Sequence, residues 1–225
     1  MELYIRNYAI INIGGVDIWI TETLVNTWII MAVLVAAAVV VRIALRGTLK
    51  EVPTGLQNAV EAVVETFNNF VRNSAGPKFM YLGNWYFMVV IFIITANISG
   101  IFGLRAPTAD LATPAAFAFA TFILIQATAV RERGGKYLKN FINPLNIIGE
   151  LARPVSLSFR LFGNILAGTI IMTLYYGLTP RLVHLGIPIF LHAFFDLFAG
   201  AMQTYIFCIL SLTFIGTAAD ATDDA

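Results

Sequence analysis

The stretch RPVSLSFRLFGNILAGTIIMTLYYGL, residues 153–178, decides the fold class and carries one charge in an unusual place. Beyond Arg153 at its start, the only charged residue in this apolar stretch is Arg160. An arginine does not lose its proton in a protein. At the centre of a bilayer it costs about 3 kcal/mol on insertion scales, which indicates a carboxylate partner or a water-filled cavity. The chain offers few intramembrane carboxylates, so the partner can belong to another chain.

The composition is that of an integral membrane protein. Apolar residues form 59% of the 225 positions and charged residues only 12%, whereas a soluble domain carries roughly 25% charge. The net charge of +1 gives no indication of nucleic-acid binding. The single cysteine, Cys208, cannot form an internal disulfide and is interpreted as a small buried apolar side chain.

Five segments are long enough to cross a bilayer, for which about 20 residues suffice. They are residues 24–45, 85–104, 111–130, 147–178 and 187–215. We therefore predict a single all-α membrane domain, residues 1–225, with five transmembrane helices. At about 1.5 Å per residue, the last two segments exceed the roughly 30 Å hydrocarbon core, which predicts a long, tilted hairpin. Its turn is expected near Thr179, Pro180 and Pro188.

Two segments outside the spans have a recognisable character. Residues 1–23 contain acids and lack the basic region of a cleaved signal peptide, so we expect an outer N-terminal segment. Residues 53–73 place apolar side chains at helical spacing. This pattern predicts an amphipathic cytoplasmic helix that lies in the membrane interface or against a partner.

Basic residues near the span ends predict the orientation. The loops after the first and third spans hold nine: Arg42, Arg46, Lys50, Arg72, Lys78, Arg131, Arg133, Lys136 and Lys139. The opposite side holds three: Arg6, Arg105 and Arg181. Both basic loops are therefore predicted to be cytoplasmic, with the N-terminus outside and the C-terminus inside.

Polar residues of the fourth span share one helical face. Ser156, Arg160 and Asn164 are each one turn apart, and Glu150 and Arg153 lie nearer the cytoplasmic end. Arg153 fits a residue that extends to the interface, and Glu150 can simply pair with it at a spacing of three.

In the fifth span, His192, Asp196 and Gln203 have the offsets of one stripe on an α-helix. The acid and the imidazole fall in the outer half, whereas the polar groups before Arg160 fall in the inner half. Two polar tracks that meet at a fixed positive charge predict the movement of an ion in two half-steps. A purely structural role is weak for Arg160 and Asp196 because charges inside a membrane are functional by default. His192 can also be a packing histidine.

Some residues of the spans are interpreted as packing groups. Asn97, in the second span, is expected to donate a hydrogen bond between helices. Three glycines are expected to allow close helix approach: Gly163, Gly168 and Gly200.

Three stretches resemble one known family. RPVSLSFRLFGNILAG, residues 153–168, closely resembles the signature of subunit a of the F-type ATP synthase membrane sector. PTADLATP, residues 107–114, is similar to the family's segment between the second and third spans. DLFAGAMQTYIF, residues 196–207, is similar to the family's last helix. The resemblance extends over nearly the whole chain.

The resemblance implies a stator subunit that is not catalytic by itself. Such a subunit lies beside a ring of c subunits, each with one carboxylate, and joins the b subunits of the peripheral stalk in the complex. Arg160 matches the family's essential arginine, Asn164 its nearby asparagine and Gln203 its last-helix glutamine. The resemblance further implies a multi-pass protein of a bacterial plasma (inner) membrane rather than an organellar one, with no metal or organic cofactor.

The outer pathway is expected to differ from that of some relatives. Thr169 stands where some relatives have a glutamate, and Asp196 takes a position that is acidic or histidine in the family. The outer half-channel should therefore depend on Asp196 and on His192. The inner half-channel is assigned to Glu150 and Ser156. Whether the ion is a proton or sodium depends on the ring and stays open.

Two other functional classes fit the composition less well. A stand-alone secondary transporter, with Arg160 binding an anion, favours inverted repeats and interrupted helices, which the sequence does not show. A voltage sensor carries a row of arginines along one helix. No GxxxxGK[ST] pattern indicates a nucleotide site.

Overall fold

The computed structural model describes residues 7–13, 15–47, 53–100, 104–179 and 186–220. A short β-hairpin is followed by a bundle of helices. Five helical segments are long and apolar enough to cross a membrane. The prediction of an all-α membrane protein with five spans is confirmed.

The helices follow one another with short connections. They are α1 Glu22–Leu45, α2 Leu56–Ala75, α3 Gly83–Ser99, α4 Ala112–Arg133, α5 Gly135–Leu138, α6 Pro144–Leu178, α7 Ile187–His192 and α8 Gly200–Asp220. Within the described residues, 3-10 turns lie at Pro77–Leu82, Pro107–Ala109 and Lys139–Ile142. Between α7 and α8 the chain forms a π-helix, Ala193–Ala199.

The N-terminal hairpin was not predicted from the sequence. Strands β1 Asn7–Ile13 and β2 Val16–Thr21 pair antiparallel. Asn12 stabilises the turn, because its Nδ2 donates to Asp17 Oδ1 at 2.6 Å and its Oδ1 accepts from the Gly15 amide at 3.1 Å. The signal was present in the sequence: two strand-like runs are separated by Gly-Gly, a pair typical of two-residue hairpin turns.

Side-chain caps fix the starts of two spanning helices. Thr21 Oγ1 accepts from the Leu24 amide at 3.3 Å at the start of α1. Asn143 Oδ1 accepts from the Leu145 amide at 3.0 Å at the start of α6, with Pro144 in the first position. Such caps satisfy amides that have no partner inside the helix.

Helix α2 has the predicted amphipathic sequence, but half of it is covered by the chain itself. Phe67 contacts Phe87 of α3, with ring centroids 5.4 Å apart. Phe70 contacts Tyr205 of α8, with centroids 5.7 Å apart. The N-terminal half keeps apolar side chains exposed: Leu56, Val63 and Val64. Only that half is therefore available to the interface or to a partner.

The core lies between α3, α4, α6 and α8. Its least exposed large side chains are Tyr86, Ile93, Ile125, Leu161, Phe207 and Leu212. Helix α1 contributes Ile30 to this core, and polar contacts join its N-terminal end to the segment before α4. Thr23 Oγ1 donates to Asp110 Oδ2 at 2.5 Å, and Asn26 Nδ2 donates to the Arg105 carbonyl at 3.0 Å.

The last two spans are the longest segments. Helix α6 has 35 residues, and the stretch Ile187–Ala218 has 32. At about 1.5 Å per residue, each exceeds a hydrocarbon core of roughly 30 Å. Their strong inclination stays a prediction, and the expected turn at Pro180 lies outside the described residues.

Candidate functional site

Arg160 lies in the middle part of α6 with an exposed side chain. Within the described part of the chain, its guanidinium has no hydrogen bond and no salt bridge. The only acid of α6, Glu150, pairs instead with Arg153. A permanent charge therefore projects from the outer surface of a membrane-length helix without neutralisation by that helix.

The face of α6 around Arg160 combines small residues with one exposed aromatic side chain, Phe159. Ser156, one turn earlier, is exposed. At Gly163, about one turn later, an added Cβ would meet no atom within 4 Å. No helix among the described residues approaches Gly163, so the expected close helix approach stays a prediction at this position. Gly163 is half-buried, and its open side leaves room for another molecule.

The other two glycines do mark close contacts, as predicted. A Cβ at Gly168 would lie 3.1 Å from Phe195 Cβ in the π-helix. A Cβ at Gly200 would lie 2.7 Å from Asn97 Nδ2. Gly168 therefore lets the π-helix pack directly on α6, one turn beyond Asn164.

Two amide side chains of the predicted site are left with unpaired donors. Asn164 Nδ2 and Gln203 Nε2 are both buried and have no hydrogen-bond partner among the described residues. A buried unpaired donor costs about 1–3 kcal/mol, and native proteins rarely keep one without a reason. These two groups, one on α6 and one on α8, are suited to bind water or a passing ion's hydration shell.

Asp196 lies at the centre of the π-helix Ala193–Ala199, and only its backbone is described. Hydrogen bonds from i to i+5 add about one residue to the turn. In a continuous α-helix, each residue turns about 100° around the axis. The extra residue therefore rotates the face of α7 by about 100° relative to the face of α8. The single stripe predicted through His192, Asp196 and Gln203 is therefore wrong, because His192 turns away from the face of Gln203. π-Helices occur frequently at functional sites.

His192 contacts α6 near the C-terminal end of that helix. Its Nε2 lies 3.4 Å from the Tyr176 hydroxyl, and the two ring centroids are 6.4 Å apart. Thr169, nearer the middle of α6, donates its hydroxyl proton to the Ile165 carbonyl at 2.9 Å. This back-bond occupies the only proton that the Thr169 side chain can donate.

Near the N-terminal end of α6, Glu150 belongs to a charged cluster. Arg153 Nη1 lies 2.8 Å from Glu150 Oε1, so the predicted pairing at a spacing of three is confirmed. Gln126 of α4 donates to Glu150 Oε2 at 2.9 Å. The Arg153 guanidinium also lies 4.8 Å from the centroid of the Phe214 ring of α8. Arg153 is thus held between two helices, and the cluster borders an open cleft of about 340 Å³.

Sequence reasoning missed Gln126 and Tyr137, which complete this cluster. The Tyr137 hydroxyl donates to Gln126 Oε1 at 2.6 Å. A glutamine inside an otherwise apolar span was an available signal, because such residues form hydrogen bonds between helices. Nothing in the sequence pattern indicated Tyr137, which follows the end of α4.

Asn97 has a different role from the one predicted. Its Oδ1 accepts from Thr108 Oγ1 at 2.9 Å, which joins α3 to the following 3-10 turn. Its Nδ2, predicted to donate between helices, is buried without a partner in the described residues and lies against Gly200. A third unpaired amide therefore lies next to the π-helix.

The sequence matches a family model described as ATP synthase A chain over residues 24–216. It is 39% identical over 211 residues to "ATP synthase subunit a 2" of Bradyrhizobium sp. strain BTAi1, covering 88% of this chain and 89% of the relative. It is 35% identical to "ATP synthase subunit a" of Moorella thermoacetica, covering 94% and 96%. The protein of that name from Geobacter sulfurreducens is 32% identical, covering 86% of each chain.

The family match includes all five spanning segments, the exposed Arg160 and the π-helix. The relatives are matched over most of their own length and come from bacteria. The chain is a membrane protein by the length and composition of its helices, and it belongs to the ATP synthase subunit a family.

Proposed function

We propose that this chain is the ion-translocating stator subunit in the membrane sector of an ATP synthase, with α6 facing a ring of c subunits. The observation that carries the proposal is Arg160. Its charge is permanent, its side chain is exposed on a membrane-length helix, and it has no ionic partner in the described residues. A charge in that position needs a carboxylate from outside the chain, and the ring supplies one on each c subunit.

The guanidinium then has two effects on the ring. It stabilises a ring carboxylate that has lost its ion, which would otherwise be costly to hold in lipid. It also repels cations and so prevents their direct passage between the two half-channels. A ring site consequently enters the lipid only after it has been neutralised, and the ion completes nearly a full turn. The driving force is about 2.3 kcal/mol per charge per 100 mV, plus the concentration gradient.

The outer half-channel is proposed to run along the contact between α6 and the π-helix. Asp196 lies within that π-helix, whose neighbouring Phe195 packs on Gly168. The unpaired amides of Asn164 and Gln203 continue this polar region toward the depth of Arg160. His192, turned toward Tyr176, lies at the outer end. Thr169 contributes no carboxylate, so Asp196 is the acid of this pathway.

The inner half-channel is proposed to open at the cleft beside Glu150. That cleft is lined by polar and charged residues of the third span, of α6 and of the end of α8. Ser156, exposed on the face of Arg160, lies between Glu150 and the arginine along α6. An ion released from the ring near Ser156 can leave past Glu150 into the cytoplasm.

This arrangement requires the orientation predicted from the basic loops, with the N-terminus outside and the C-terminus in the cytoplasm. We further propose that the complex lies in a bacterial inner membrane, where c subunits form the rotor and b subunits form the peripheral stalk. The chain provides the ion pathway, and ATP is made by other subunits.

The half-channel assignment predicts opposite labelling of two engineered cysteines. In a Cys208→Ala background, Asp196→Cys is expected to react with a charged thiol reagent or silver ion preferentially from outside, and Ser156→Cys from the cytoplasm. Asp196→Asn should slow ATP-driven transport by removing the acid of the outer pathway, but less than Arg160→Ala does. Labelling of membrane vesicles of both orientations measures the first effect. Equal labelling of both positions from either side, or full transport in Asp196→Asn, would contradict the assignment.

A further inference from the structure

We propose that Gln126 and Tyr137 are positioning residues that hold the Glu150 carboxylate at the wall of the inner half-channel. The inference rests on the proposed function, in which Glu150 belongs to the ion pathway. Neither residue lies on the two helices that carry the predicted site. Gln126 belongs to α4 and Tyr137 to α5.

The geometry links three helices through one carboxylate. Both oxygens of Glu150 are engaged: Arg153 Nη1 lies 2.8 Å from Oε1 and 2.9 Å from Oε2, and Gln126 Nε2 donates to Oε2 at 2.9 Å. Gln126 Oε1 in turn accepts from the hydroxyl of Tyr137 at 2.6 Å. Arg153 alone would not fix the position of the carboxylate relative to the other helices, because Arg153 and Glu150 are both on α6. The hydrogen bond from Gln126 ties the carboxylate to α4.

The chemistry of the three groups fixes the direction of every hydrogen bond. An ionised carboxylate only accepts, so the NH2 end of the Gln126 amide must face Glu150. The amide oxygen then points the other way and needs a donor, which Tyr137 supplies. Tyr137 is 3% exposed. Burial, and next the negative charge of Glu150, raise the pKa of Tyr137, so its hydroxyl keeps its proton at neutral pH.

Among the described side chains, the other charged groups that line the cleft beside this cluster are Arg133 and Arg153. Arg153 lies over the Phe214 ring at 4.8 Å, and the Arg133 guanidinium lies 5.7 Å from the centroid of the Tyr137 ring. Glu150 and Tyr137 border the same cleft, which has a volume of about 340 Å³. The carboxylate is therefore held beside space that water can enter, with cationic groups on either side.

A double-mutant cycle tests whether Gln126 acts through Glu150. Gln126→Leu in the complete complex is expected to lower ATP-driven transport about tenfold, in line with the loss of a hydrogen bond to a charged group. Glu150→Gln lowers it as well. If Gln126 acts through Glu150, the double variant is about as slow as Glu150→Gln alone. A voltage-sensitive dye measures the transport in proteoliposomes for either coupling ion.

A conservative variant separates positioning from general structural damage. In Gln126→Glu two carboxylates at hydrogen-bond distance must share a proton, so the rate relative to wild type should recover as the bath pH falls from about 8 to about 6. This recovery should disappear in the Glu150→Gln background. Tyr137→Phe removes the donor to Gln126 Oε1, so the Gln126 amide is free to rotate. We expect a smaller loss of transport than in Gln126→Leu.

The control is Thr128→Val, on the same helix. Thr128 is buried, but its hydroxyl bonds only to the Leu124 carbonyl of α4, so transport should stay near the wild-type rate at every pH. The inference is overturned if the losses in Gln126→Leu and Glu150→Gln multiply, or if Gln126→Glu shows no recovery at low pH. Either result leaves the proposed function standing as long as Arg160→Ala remains inactive.

Discussion

Arg160→Ala is expected to abolish ATP synthesis driven by an imposed ion gradient, in a complex that still assembles. Loss of the guanidinium leaves no fixed charge to stabilise an empty ring carboxylate or to separate the two half-channels. Assembly should survive because Arg160 is exposed and makes no bond within the described residues. Synthesis in reconstituted vesicles, normalised to assembled complex, measures the effect.

Arg160→Lys is expected to fail largely as well. An ammonium group lacks the planar fork of a guanidinium and loses its proton more readily when it is removed from water. Ile123→Ala, an exposed position on α4 that is 66% accessible, is the control and should synthesise normally. Near-normal ATP synthesis in Arg160→Ala would contradict the proposed role of Arg160 in ion translocation.

The glycines of α6 are expected to divide into two classes when each is replaced by valine. Gly168→Val should reduce the amount of stable subunit, because Phe195 Cβ would lie 3.1 Å from the new Cβ. Overpacking of this kind costs about 1–3 kcal/mol. Gly163→Val should leave the subunit stable, because nothing in the described chain lies within 4 Å of its Cβ, and should sharply lower synthesis per assembled complex.

Gly177→Val is the matched control, since its Cβ would also meet nothing within 4 Å, far from Arg160 near the end of the same helix. All three variants replace a helical glycine by valine, so the change in helix propensity is the same in each. Subunit content by immunoblot and synthesis per complex are the two measurements. Equal effects of Gly163→Val and Gly177→Val would show that no partner packs closely beside Arg160.

Much of the fold follows from local rules in the sequence. Span lengths depend on apolar runs, which predict five membrane-length helices because the bilayer sets a minimum length. Arg160 could be recognised because one permanent charge interrupts an apolar helix. The open side of Gly163 could not be predicted from the sequence. A glycine that faces a second protein has the same sequence pattern as one that faces a neighbouring helix.

The site features that escaped prediction depend on contacts between distant segments. The π-helix at Ala193–Ala199 packs against α6 and α3, whereas a helical pattern in sequence assumes one constant period. The Glu150 cluster joins residues of α4, α5 and α6, so its members are adjacent only after folding. The ion pair between Glu150 and Arg153 could be predicted from their spacing, because both residues lie on one helix.

The most direct test of the central claim is a cross-link between α6 and the ring. In a Cys208→Ala background, Gly163→Cys is paired with a cysteine placed beside the ion-binding carboxylate of the c subunit, and Ile123→Cys serves as the control. If the face of Arg160 lies against the ring, oxidation should link Gly163→Cys to a c subunit and stop ATP synthesis until a reductant is added. No link from Gly163→Cys, or an equal link from Ile123→Cys, would contradict the account.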